Sequence, residues 1–114
     1  MNRVRFKYSD CPMQRSMAVL GTKWKPIVLW VLRERKARFG QIAATIGLVS
    51  RKVLTDTLRE MEQDGLIVRK EYKELPPRVE YSLTKKGAAL LPILRQIVNW
   101  DLRFREDAVG CEEC

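Results

Sequence analysis

No histidine occurs anywhere in the 114 residues. That absence removes the usual general base of hydrolytic triads and the commonest ligand of zinc hydrolases. Neither GxxxxGK[ST] nor GxGxxG is present, so the glycine-rich phosphate cradles of nucleotide-binding enzymes are missing as well. Glu60, Glu62 and Glu71 fall on a helix surface and a hairpin by their spacing, not in a paired acid-base arrangement. No enzymatic activity, cofactor or metal is expected. Long apolar runs are also lacking, and nothing approaches the roughly 20 consecutive apolar residues that a membrane span requires. The start, MNRVRFKYSDCP, is basic with no apolar run behind it, which does not fit a signal peptide. A cytoplasmic location without membrane association is the expectation.

Acidic residues are scarce in the first part of the chain. Residues 1–40 hold ten Lys/Arg against two Asp/Glu, whereas residues 41–114 hold twelve of each, so the whole net charge of +8 is N-terminal. A basic chain of pI about 9.8 suits a polyanionic partner such as nucleic acid, although basic chains without one exist. The length fits one domain with its own core. The charge pattern divides it into a basic arm over 1–10, a folded unit over 11–105 and an acidic tail over 106–114 that contains a CxxC.

Within the folded unit the apolar spacing predicts helices first. Pro12 can open a short helix that Gly21 ends, and Thr22 can cap a second, KWKPIVLWVLRER, apolar all round from Ile27 to Leu32. Phe39, Ile42 and Ile46 repeat at helical spacing and Gly47 stops them. Ser50 caps SRKVLTDTLREMEQDG, in which Leu54, Leu58 and Met61, joined by Val53, form one stripe. LIVRKEY and RVEYSL read as two strands of a hairpin. The Asn-Gly or Asp-Gly of a tight hairpin is absent from its tip, which carries Leu75, Pro76, Pro77 and Arg78 instead. Thr84 caps a last long helix, which Pro92 is expected to kink.

The predicted class is therefore mainly α with a small β-hairpin, in the order α-α-α-α-β-β-α. A short helix, a turn, a capped helix with a basic start and then a hairpin is the order of a winged helix-turn-helix. In such a domain the second helix of the pair enters the major groove and the hairpin lies along the flanking backbone or minor groove. A tip stiffened by Pro76 and Pro77 loses little entropy on binding, and Lys73 and Arg78 offer charge to phosphates.

The runs CPMQRSMAVLGTKWKPIVLWVL, RFGQI, VSRKVLTDTLREMEQDGLIVR and LPPRVEYSLTKKGAALLPIL, with a late Trp100, closely resemble the HxlR-type winged-helix transcription regulators, relatives of the MarR group. The resemblance covers roughly residues 11 to 100. It implies a homodimeric DNA-binding regulator paired through its terminal helices. In several members it also implies a cysteine just before the first helix that senses oxidants or electrophiles. The tail beyond Trp100 matches no shared pattern.

Contacts to double-stranded DNA are expected from the start of the capped helix. Ser50, Arg51, Lys52 and Thr55 lie off its apolar stripe, and Arg51 and Thr55 share a face at i, i+4. Arginine can bridge guanine O6 and N7, and a threonine methyl can meet thymine. Arg59, one turn on, is a phosphate candidate, as are Lys23, Lys25 and Arg38 at helix starts. Trp30 is expected in the core, and Trp24 and Trp100 in helix packing or a dimer seam. Surplus apolar residues on the last helix point to a two-fold dimer and an inverted-repeat operator.

Three cysteines remain. Cys11 sits at the cap of the first helix near Lys7 and Arg15, a setting that favours a thiolate, though a small buried residue would fit there too. Cys111 and Cys114 are spaced for a disulfide, for metal or for neither. The expected function is a dimeric regulator under thiol control. A constitutive architectural DNA-binding protein is the alternative.

Overall fold

The computed structural model describes residues 11–105. The basic arm, the acidic tail, Cys111 and Cys114 lie outside the described residues. The chain forms α1 (Pro12–Leu20), α2 (Trp24–Val31), α3 (Phe39–Ile46), α4 (Arg51–Gln63), β1 (Ile67–Tyr72), β2 (Arg78–Leu83), α5 (Lys85–Ala88) and α6 (Leu91–Phe104). This is the winged helix-turn-helix order, with the last helical segment in two pieces. No helix among the described residues is long and apolar enough to cross a membrane.

The core assembles on α2, which supplies the fully buried Val28 and Leu29. Ile42 of α3 and Leu54, Leu58 and Met61 of α4 close over them, followed by Leu66, Ile67 and Tyr81 from the hairpin. The apolar stripe of α4 is therefore what the spacing predicts, except that Val53 stays exposed. Helix α2 is shorter than its pattern suggests, because Ala37 is drawn into the sheet. Its N–H donates to the Tyr81 carbonyl at 3.0 Å and its own carbonyl accepts from the Tyr81 N–H at 2.8 Å. That extended residue ends helical winding in the Arg33–Lys36 run and fixes β2 against the entrance to α3.

The exit from α4 is equally determined. Gly65 takes φ 78°, open to glycine at little cost. Its N–H donates to the Glu62 carbonyl and the Leu66 N–H to the Met61 carbonyl, the paired bonds of a Schellman ending. Leu66 then buries its side chain beside Met61. From there β1 runs antiparallel to β2, Ile67 opposite Leu83 through Tyr72 opposite Arg78. The tip, residues 73–77, is fully exposed.

Thr84 ties hairpin and helices together. Its Oγ1 accepts from the Gly87 N–H at 3.0 Å as the cap of α5 and donates to the Gly65 carbonyl at 2.6 Å. Pro92 was expected to bend one helix. Instead α5 ends at Ala88 and α6 restarts at Leu91, with Pro92 in the first turn of α6, where its missing amide costs no bond.

Gly87 packs against the Leu66 backbone so closely that an added Cβ would collide with the Leu66 carbonyl oxygen, whereas one on Gly40 would meet nothing within 4 Å. Gly87→Ala should cost about 1–3 kcal/mol in urea unfolding, from forced backbone displacement. Gly40→Ala should stabilise by about 0.5–1 kcal/mol through helix propensity. Equal effects of the two substitutions would contradict the packing described.

Candidate nucleic-acid interface

Four residues, Gly47 to Ser50, join α3 to α4. Gly47 leaves α3 at φ 89°, and Ser50 opens α4 in extended conformation with its Oγ accepting the Val53 N–H at 3.1 Å. With Leu54 and Leu58 turned inward, Arg51, Lys52 and Arg59 are exposed on the remaining surface of α4 and Thr55 is half-buried among them. Arg51 does not wave freely, since its guanidinium stands 4.8 Å from the centroid of the Phe39 ring at the start of α3. Thr55 turns its Oγ1 back to the Arg51 carbonyl at 2.8 Å, so its own hydroxyl is committed to the helix backbone.

Asp56 occupies the middle of this face. It accepts from Lys52 at 3.0 Å and lies 3.7 Å from Arg59, so one carboxylate is shared by two of the expected DNA contacts. The i, i+4 and i, i+3 spacings of this trio were legible in the sequence, although Asp56 was not singled out. The spacing of Phe39 marks it only as a member of an apolar repeat, with no local sign of its contact with Arg51.

The other residues divide. Lys23 is exposed over the Trp24 ring at 4.7 Å, and Arg38 is exposed with its backbone N–H donating to Gln41 Oε1 at 2.8 Å. Lys73 is exposed at the wing tip. Arg78 is more engaged than its sequence position suggested. It stacks 4.0 Å over Tyr72, its strand partner, and lies 3.6 Å from Glu74 and 3.7 Å from Glu80. Its Nε is buried with no hydrogen-bond partner.

Lys25, expected to face a phosphate, is only 6% exposed. Its ammonium crosses to the C-terminal end of α4, 3.2 Å from Glu60 and 3.3 Å from Asp64, where the helix dipole also favours a cation. Burial, the largest single influence, pulls its pKa down, yet the hydrogen bonds and charges of Glu60 and Asp64 together outweigh it and hold the group above the ordinary lysine value. Lys25 is a clamp between α2 and α4.

Away from this face, α6 carries Ile93, Ile97, Trp100 and Phe104 at i, i+4, i+7 and i+11, between 50% and 69% exposed. Trp100 and Phe104 form a tilted ring pair, their centroids 6.3 Å apart and their planes at 47°. Trp30 is half-buried against the core. Cys11 occupies the N-cap position of α1, half-buried, with no side-chain cap bond and, among the described residues, no disulfide.

A capped helix presenting polar and basic side chains, braced by a preceding helix and flanked by a hairpin, defines a winged helix-turn-helix DNA-binding regulator. Residues 19–108 match the family described as HxlR-like helix-turn-helix. The HTH-type transcriptional regulator BH0655 of Halalkalibacterium halodurans is 41% identical over 95 residues, 82% of this chain and 84% of the relative. The HTH-type transcriptional regulator YodB of Bacillus subtilis is 37% identical over 106 residues, 90% of this chain and 94% of YodB. Its reduced form superposes with a TM-score of 0.74 at 35% identity, covering 84% of this chain and 95% of that one, and its diamide-treated form with 0.70. The redox regulator HypR in its oxidised form gives a TM-score of 0.80 at 38% identity, covering 84% of this chain and 99% of HypR. The chain belongs to the HxlR-like helix-turn-helix family.

Replacing the buried ammonium tests the clamp. Lys25→Met should destabilise by roughly 1–3 kcal/mol, the range for lost hydrogen bonds to charged groups. Because the folded-state pKa is raised, this contribution is complete below the unfolded value of about 10.4 and fades as pH rises through the folded one. Urea unfolding of both proteins from pH 7 to 11 should therefore show their difference narrowing at the alkaline end. A constant difference would contradict the role assigned to the charge.

Proposed function

We propose that the chain acts as a homodimer that reads an inverted-repeat operator in double-stranded DNA, under thiol control through Cys11. The observation that carries the DNA reading is the outer face of α4, where Ser50, Arg51, Lys52 and Thr55 surround an exposed helix start while the opposite side is sealed in the core. Arg51, steadied by Phe39, is the base-reading residue. Thr55, whose hydroxyl is turned inward, offers its methyl to thymine. Lys52 and Arg59 exchange Asp56 for phosphates at small cost, because exposed ion pairs are worth about 0–1 kcal/mol. Lys23, Arg38 and Lys73 add backbone contacts, and Arg78 braces the wing through Tyr72. Lys25 takes no part.

The α6 stripe supports the dimer, since four large apolar side chains in line call for a partner surface. Two copies of α4 would then meet half-sites one or two helical turns apart, about 34 Å per turn. Selection from a random DNA pool should return a dyad-symmetric site bound about 10³-fold or more tighter than random DNA at matched salt. On that site Arg51→Ala should cost about 1–3 kcal/mol and relax preference at one base pair per half-site. Uniform binding to all sequences would favour an architectural protein instead.

Thiol control rests on Cys11, which holds the same kind of position that the family resemblance assigns to a sensing cysteine. It draws support from HypR and YodB, one described as a redox regulator and both solved in chemically distinct states. Oxidation removes two electrons and two protons from a pair of thiols to form a disulfide, with Cys111 or Cys114 of either chain as the second sulfur. Operator binding by the wild type should change with diamide and return with dithiothreitol, and Cys11→Ser should respond to neither. Identical responses of wild type and variant would remove Cys11 from the mechanism.

A further inference from the structure

Between Ser50 and Arg59, Asp56 is the one acidic side chain of α4. It stands in the second turn, beyond the first turn in which the helix dipole favours a carboxylate. At 3.6 residues per turn, Lys52, Asp56 and Arg59 each lie roughly 150° or more around the helix from the middle of the buried stripe of Leu54, Thr57, Leu58 and Met61. These three side chains form the ridge of α4 most remote from the core. A helix that enters a groove by that ridge carries a negative charge in its midst, and binding by charge alone would be tighter without it.

Both carboxylate oxygens of Asp56 face a cation. Oδ2 accepts from the Lys52 ammonium at 3.0 Å, and Oδ1 lies 3.7 Å from Nη1 of Arg59. Lys52 and Arg59 are exposed, on stems long enough to swing toward phosphates, whereas Asp56 has a single methylene and stays on the ridge. Once the cations turn away, the carboxylate needs another donor or faces the DNA as an unpaired charge. On the major-groove side cytosine alone offers a donor with no acceptor on the same base. Guanine presents O6 and N7, thymine presents O4, and adenine sets N7 beside its N6 amino group.

We propose that Asp56 is a base-reading residue that selects a cytosine in each half-site, its Oδ2 exchanging the Lys52 ammonium for the cytosine N4 amino group while Lys52 and Arg59 turn to phosphates. On cytosine every group in this exchange keeps a partner. Opposite an acceptor edge the released carboxylate is repelled, so the wrong base is rejected by a cost as well as by a missing bond. This role rests on the regulator reading and adds a second selected position to the one assigned to Arg51.

The experiment selects sites from a random double-stranded DNA pool with the full chain as wild type, Asp56→Asn and Asp56→Ala, and measures affinity for each selected site and for random DNA at matched salt. Exposed ion pairs add little to stability, so neither substitution threatens the fold. The wild-type site should hold a cytosine in each half whose replacement weakens binding about fivefold or more. Asp56→Asn should exchange that preference for adenine, because a side-chain amide bonds N6 and N7 together. Asp56→Ala should lose preference at that position, keep the one assigned to Arg51, and bind random DNA about threefold or more tighter through the loss of one negative charge per subunit. If Asp56→Ala tightens operator and random DNA alike and leaves every base preference in place, the carboxylate is a charge shield and the proposal fails. A site selected by the wild type and shared unchanged by both variants overturns this inference alone, whereas a wild type that selects no site overturns the regulator reading.

Discussion

Everything after α4 depends on how the backbone passes Leu66. Its N–H closes α4 on Met61, its carbonyl accepts from the Thr84 N–H with the Thr84 hydroxyl 3.1 Å away, and Gly87 lies directly against it. One residue thus joins the end of α4, the base of the hairpin and the start of α5 through main-chain bonds that leave little angular freedom. The wing and the C-terminal helices take their bearings from α4 at this point. A second fixed point, the Ala37 and Tyr81 pair, holds the far edge of the hairpin to the entrance of α3. Between them α4 and the wing become parts of one frame.

Charge on that frame is arranged by burial. Lys25 is buried while its partners Glu60 and Asp64 reach the surface, and its two ion pairs tie the far end of α4 to α2. Lys52, Arg59 and Asp56 sit outside, where water weakens their attraction and leaves the cations exchangeable. The same ion-pair chemistry therefore serves rigidity at one end of α4 and release at the other. Arg51 lies between these limits, because an aromatic partner orients a guanidinium without occupying its donors.

Local patterns carried most of this into the sequence. The α4 stripe, its serine cap and its glycine exit could be read from spacing alone, as could the two strands, because each is decided by neighbours a few residues away. Where the reading failed, the deciding partner was distant. Lys25 looked like a surface lysine at a helix start, since its carboxylates lie 35 and 39 residues further along. Helix α2 looked about one turn longer at its end than it is, because nothing local announces that Ala37 pairs with Tyr81. Pro92 signalled a disturbance correctly, but the helix restarts there and does not bend. The embrace of Arg78 by Tyr72, Glu74 and Glu80 required the hairpin register, which the sequence left open.

Helix α6 is held lightly by comparison with the frame. Of its 14 residues only Leu94 is buried, and the break after Ala88 separates its hydrogen-bond ladder from that of α5. Segments with so little buried apolar surface open at lower free energy than a protein's core, as independent cooperative units. Any surface that grips the α6 stripe consequently does more than bind it. It merges that unit with the frame, so association and the final step of folding become one equilibrium.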